Sequence, residues 1–155
     1  MKNKIILTLL GLLMIAGGFE EGCEDEEPKP DYITVNVTPR GTFVRRPVGW
    51  TSTICDEVTK GKTVRVDIVK AGGETFNFYA TVDTDICQWQ AASTATFKLY
   101  REQPIETTAY SEQVPGGYTQ VRGVDYLSWD EVYPQFDFGD TYNYSPDVQI
   151  IWLED

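Results

Sequence analysis

Two short clusters of carboxylates carry the acid–base chemistry open to this chain. Asp83 and Asp85 stand in Val82-Asp83-Thr84-Asp85, and Asp137 and Asp140 in Phe136-Asp137-Phe138-Gly139-Asp140. A glycosidase needs two carboxylates at a set separation across the scissile bond. A hard cation such as calcium takes Asp, Asn and carbonyl oxygens from loops. Spacing along the chain does not define either geometry, and no EF-hand calcium loop is present. Aspartates in turns ordinarily bond their own backbone two residues on. The expectation is therefore two turns, with cation binding behind it and hydrolysis a remote third.

Histidine is absent. That removes Ser-His-Asp and Cys-His nucleophile systems and nearly all catalytic zinc sites. There is no Cys-x-x-Cys, no Gly-x-x-x-x-Gly-Lys phosphate loop and no dinucleotide fingerprint. The expectation is a non-enzyme without a metal or cofactor.

Aromatic side chains are abundant: four Trp, nine Tyr and seven Phe. Trp50, Trp89, Trp129 and Tyr118 fall near loops or strand ends. Exposed rings there could stack on the C–H face of a sugar, which makes Trp50, Trp89 and Trp129 the candidate ligand aromatics. The plainer alternative is that they fill or cap a core. Tyr142-Asn143-Tyr144-Ser145 could likewise form a flat aromatic patch or alternate in and out along a strand. Asn36-Val37-Thr38 and Asn143-Tyr144-Ser145 match the glycosylation acceptor pattern, read here as chance.

The first thirty residues set the address. Lys2 and Lys4 precede an apolar run from Ile5 to Ala16, followed by Gly17 and Gly18, Gly22-Cys23, and the acidic Glu24-Asp25-Glu26-Glu27. Spanning a bilayer takes about 20 apolar residues. This run is shorter and fits the core of an export signal. The segment resembles a prokaryotic lipoprotein signal with an atypical lipobox, in which Glu20 and Glu21 replace the usual apolar and small residues. The resemblance implies a signal over 1–22, lipidation of Cys23 and a membrane anchor at the cell envelope. Ordinary cleavage after Gly18, giving a secreted protein, is the rival route, and an uncleaved anchor the third. Residues 23–31 are acidic and proline-containing, too poor in apolar groups to fold, and read as a tether.

The formal charge is -11 and the pI about 4.4. Nucleic-acid phosphates demand a Lys/Arg surface, so this balance argues against that partner and against anionic head groups. With Cys23 lipidated, Cys55 and Cys87 remain as an even pair in an oxidising compartment. Their disulfide would close a loop of roughly 33 residues and contribute ~3.7 kcal/mol by the chain-entropy estimate. The alternative is two free buried thiols.

The elements that must position these groups are strands. Ile33/Val35/Val37, Val64/Val66/Ile68, Phe76/Phe78/Ala80/Val82, Ala95/Phe97/Leu99 and Val148/Ile150/Trp152 each alternate with other residues. A period of two buries one face of a strand. Lys70-Ala71-Gly72-Gly73-Glu74 reads as a hairpin loop and Pro115-Gly116-Gly117 as a turn. Asp130 to Phe138, interrupted by Pro134, reads as an irregular crossover, and no internal repeat is evident. The expected fold is all-β: a single two-sheet antiparallel sandwich over 32–155. Its size and rhythm resemble immunoglobulin-like and fibronectin type III-like modules of secreted prokaryotic proteins. That resemblance implies a binding or structural module with an extracellular protein or polysaccharide as partner. A carbohydrate-binding module is the alternative, and a carboxylate-dependent hydrolase the remote one.

Overall fold

A computed structural model describes residues 31–136 and 139–155. The signal over 1–22, Cys23, all of the tether but its last residue, and Asp137 lie outside the described residues. The strands are β1 Ile33–Val37, β2 Arg40–Arg46, β3 Thr63–Lys70, β4 Thr75–Thr81, β5 Gln88–Gln90, β6 Ala95–Leu99, β7 Ile105–Tyr110, β8 Tyr118–Val121, β9 Gly123–Leu127, β10 Tyr142–Tyr144 and β11 Asp147–Glu154. One helical turn, α1, spans Trp129–Val132.

The all-β, sandwich-like architecture expected from the alternation is what the chain adopts. The pairing is richer than two antiparallel sheets. Three ladders form, in the orders β10-β1-β6, β5-β2-β11-β8 and β4-β3-β7-β9. β1 pairs with β10 and β2 with β11 in parallel; the other pairs are antiparallel.

The parallel pairs share a cause. β1 passes into β2 through Thr38-Pro39, and β10 passes into β11 through Ser145-Pro146. Val37 pairs with Tyr144 and Arg40 with Asp147, so the two prolines stand side by side. Proline has no N–H to give a ladder, which ends one sheet and lets the strand start the next. The break is bridged by Thr38 N–H to Tyr144 O (2.9 Å) and Arg40 N–H to Pro146 O (3.0 Å). The two acceptor-like tripeptides thus belong to one repeated pattern, Asn-x-Thr/Ser-Pro. Asn36 and Asn143 are register partners, and the Asn36 amide donates to Asn143 Oδ1 at 3.2 Å. This correspondence is too short to read as a repeat until the two strands are seen to pair.

Most of the residues picked out by period two form the core; Phe76, which is exposed, and Phe78, which is partly buried, are the exceptions, because β4 is an edge strand. Ile33, Val35, Val37, Val64, Val66, Ile68, Phe97, Leu99, Ile150 and Trp152 are all buried. Phe43 meets Trp152 edge-on at 4.7 Å, a favoured geometry for two aromatic quadrupoles. Gly41 and Gly123 are buried because β11 comes too close for a side chain. A Cβ on Gly41 would lie 1.8 Å from Val148 O, and one on Gly123 2.8 Å from Gln149 O.

The hairpin between β3 and β4 turns at Gly72 and Gly73, both at φ 106°, a region open to glycine. The 130–138 crossover is more regular than expected at its start. Glu131 accepts from the Ser128 N–H (2.7 Å) and hydroxyl (2.8 Å), which holds the first turn of α1. The Tyr133–Gln135 segment, with Pro134, then tightens to a 3-10 turn. Cys55 and Cys87 form a disulfide, with Cα atoms 5.7 Å apart. It ties the loop after β2 to the segment before β5, flanking the β3–β4 hairpin. Cys87 is buried at φ 55°, and its carbonyl accepts from Phe43 N–H at 2.9 Å.

Candidate functional site

Of the carboxylate candidates, Asp83, Asp85 and Asp140 are described, and Asp83 is committed to a turn. Asp83 Oδ1 accepts backbone N–H bonds from Asp85 (2.7 Å) and Ile86 (3.1 Å), an Asx turn. These two donors hold its carboxyl below the usual range. Asp140 is exposed in the other cluster. Among the described residues no group of three or more His, Cys, Asp or Glu could hold a metal ion.

The candidate aromatics also separate. Trp89 is 3 % exposed and Trp129 4 %, whereas Trp50 is 55 % exposed. Trp89 is the inward residue of β5, between outward Gln88 and Gln90. Trp129 enters the core from α1 and stacks on Tyr133 at 5.2 Å. Tyr118 lies against Trp152 at 5.7 Å. Trp89 and Trp129 are therefore buried, although Trp89 also lines a groove beside β5, and Trp50 alone of the three is exposed. Proximity to a turn says where a residue lies along a strand, not which face it takes.

A different surface gathers the exposed rings. The outer face of the β4-β3-β7-β9 sheet takes the residues that the core alternation leaves over. Tyr79, Arg65 and Tyr110 form one cross-strand row; Asn77, Asp67, Thr108 and Val124 the next; Thr75, Val69, Glu106 and Tyr126 the third. Tyr79 is 54 % exposed and Tyr126 58 %, with Val69 and Val124 also exposed.

Polar contacts hold this face in place. The Arg65 guanidinium donates to Asp67 Oδ1 (3.0 Å) and Glu112 Oε1 (2.7 Å). Tyr110 donates to Asp67 Oδ2 (2.8 Å), and Arg122 lies 4.4 Å over the Tyr110 ring. The hydrogen bonds to Glu112 and Asp67 push the Arg65 pKa up, and the bond to Asp67 raises Tyr110. The charge of Glu106 raises Tyr126. A groove of about 570 Å³ adjoins the Tyr79 end, lined by Lys62, Arg65, Tyr79, Glu112, Val114 and Trp152 among others. A second, of about 590 Å³, lies at the other sheet between Arg40, Thr81, Ile86, Gln88 and Asp147.

Sequence reasoning passed over this face because it treated non-core positions as solvated. The available signal was aromatic: Tyr79, Tyr110 and Tyr126 occupy outward positions that charged or hydroxyl residues would ordinarily fill. Tyr and Arg are the side chains most enriched where binding energy concentrates. A preordered array of them can bind without first ordering its own side chains. Among the described residues, no helix is long and apolar enough to cross a membrane. A scan against family models, a search of curated proteins and a search of solved structures each returned no match to this chain.

Proposed function

We propose that this chain is a non-enzymatic, extracytoplasmic binding module of the cell envelope, held to a membrane by lipidated Cys23. Its immunoglobulin-like sandwich presents the outer face of β4-β3-β7-β9 to an extracellular protein. The observation that carries the binding role is the Tyr79–Arg65–Tyr110 row beside exposed Tyr126. Rings with a polar tip surround a fixed guanidinium there, a composition suited to a protein surface. The address rests on the basic start, short apolar core and Gly22-Cys23 of the sequence.

Site-specific photo-crosslinking on intact cells tests the face. Probes at positions 79 and 126 are expected to give a discrete adduct, and a probe at position 149, on the opposite sheet, none. Equal labelling from all three positions would count against a dedicated face. Detergent phase partition tests the tether: the wild type is expected in the detergent phase and Cys23→Ser in the aqueous phase. Aqueous partition of both would favour cleavage after Gly18.

Exposed Trp50 favours one second reading, a polysaccharide partner. A glycan screen would support it if binding fell about tenfold with Trp50→Ala, the scale of a lost ~1–2 kcal/mol stacking contact.

A further inference from the structure

We infer that two copies of this chain pair through β4, edge to edge and antiparallel, about a two-fold axis. The proposal does not rest on the partner assigned above.

The other sheet edges are defended. β5 and β10 have three residues each, and β8 has four. β6 carries Lys98, and β9 carries Asp125 at its middle. Short length and charge are the usual means of keeping an open edge from pairing. β4 has neither: Thr75–Thr81 is seven residues without charge, proline or glycine. Its Phe76 is exposed although it meets Phe97 at 5.1 Å.

The edge also has free backbone groups in a regular row. Lys70 N–H donates to Glu74 O and Val82 N–H to Lys62 O, both at 2.9 Å. In an antiparallel ladder alternate residues bond to the neighbour. The even-numbered residues of β4 therefore face β3. Thr75, Asn77, Tyr79 and Thr81 turn their N–H and C=O outward. Among the described residues, none of these four N–H groups has a backbone acceptor outside the strand ladders.

A second copy fits that row. With Phe78 on the two-fold axis, Thr75 meets the partner's Thr81 and Asn77 the partner's Tyr79, and every outward group is bonded. Phe76 meets the partner's Ala80, large against small. At the flanks, Glu74 meets the partner's Val82, and the paired row ends at Thr81 because the Asp83 N–H is already bonded to Gln88 O (2.7 Å) within the chain, so no like charges face each other. For a chain of charge -11 this matters, because like-charge contact is what keeps copies apart. The product is one eight-stranded sheet with both tyrosine faces on the same side.

Sedimentation equilibrium of the exported protein, made from the full chain with Cys23→Ser, reads the mass directly. A dimer is expected, tighter at higher salt as self-repulsion is screened. Asn77→Lys with Tyr79→Lys sets two like-charge pairs across the axis, as does Asn77→Glu with Tyr79→Glu. Each double variant is expected to be monomeric, and an equimolar mixture to recover the dimer mass. Unfolding curves check that the variants are folded. If one is not, amide exchange of the parent protein against dilution replaces it. Thr75, Asn77, Tyr79 and Thr81 should then lose protection together as the protein is diluted. A parent protein that stays monomeric at ~0.5 mM, far above the working range of a specific dimer, overturns the proposal. So does a double variant that remains dimeric, a mixture that remains monomeric, or exchange at β4 independent of concentration.

Discussion

Tyr144 donates a hydrogen bond from its phenol to the carboxylate of Asp125, joining β10 of one sheet to β9 of another. Tyr144 belongs to the ladder of β1 and Asp125 to the edge of the β4-β3-β7-β9 sheet, so this bond spans elements that share no ladder. Burial first, and then the Asp125 hydrogen bond, raise the Tyr144 pKa well above the usual tyrosine value.

The first prediction follows from that pair. A raised phenol pKa favours the neutral form in the folded chain. Its contribution is fully present below the unfolded value of about 10 and is lost as pH rises above it, because the unfolded chain ionises first. Stability measured by denaturant titration should fall from about pH 10 upward. Tyr144→Phe should flatten part of that fall, with Tyr110 and Tyr126 supplying the rest. At neutral pH the same substitution should destabilise by about 1–2 kcal/mol, since it leaves a partly buried carboxylate short of a donor.

Reducing the Cys55–Cys87 bond releases a loop with a sequence separation of 32. The loss is expected at about 3–4 kcal/mol by the chain-entropy estimate. Chemical unfolding with and without reductant measures it. Two alkylatable thiols in the native exported protein would contradict the bond outright.

Gly41→Ala should be among the most damaging single-methyl additions in the chain. The new Cβ would collide with the backbone of Val148 as well as with the Trp89 ring, and a ladder carbonyl cannot rotate aside. A loss of at least about 2–3 kcal/mol is expected, at the upper end of overpacking effects. Gly123→Ala should follow it, milder because its closest approach is 2.8 Å. Near-wild-type melting of Gly41→Ala would mean that β2 and β11 can separate there.

Thr107→Val should stabilise. Thr107 is buried on the inner face of β7, and its hydroxyl has no hydrogen-bond partner among the described residues. Removing an unpaired buried hydroxyl at nearly constant volume should gain about 1 kcal/mol. A lower melting temperature for the valine variant would indicate a bound water at that hydroxyl.

Strand content and core were legible because period two is a local property. Val64, Val66 and Ile68 point one way whatever they pack against, and so do Val148, Ile150 and Trp152. The Asp83 turn was legible for the same reason, since its carboxylate bonds amides two and three residues away. The disulfide followed from counting cysteines, and the positions of Cys55 and Cys87 on either side of the β3–β4 hairpin placed it in the segments flanking that hairpin.

Tertiary structure decided what local pattern leaves degenerate. Trp50 and Trp89 look alike beside their turns, yet one is exposed and the other buried, because only Trp89 falls on the inward register of a strand packed against β2. The parallel runs of β1 with β10 and β2 with β11 depend on two Thr/Ser-Pro breaks about a hundred residues apart meeting side by side. Arg65, Tyr79, Tyr110 and Tyr126 come from four different strands, and nothing in any one segment marks them as neighbours. Alternation along the chain is set by the geometry of each backbone. Adjacency across a sheet is set by which strands pair and in what register, and that is a property of the whole fold.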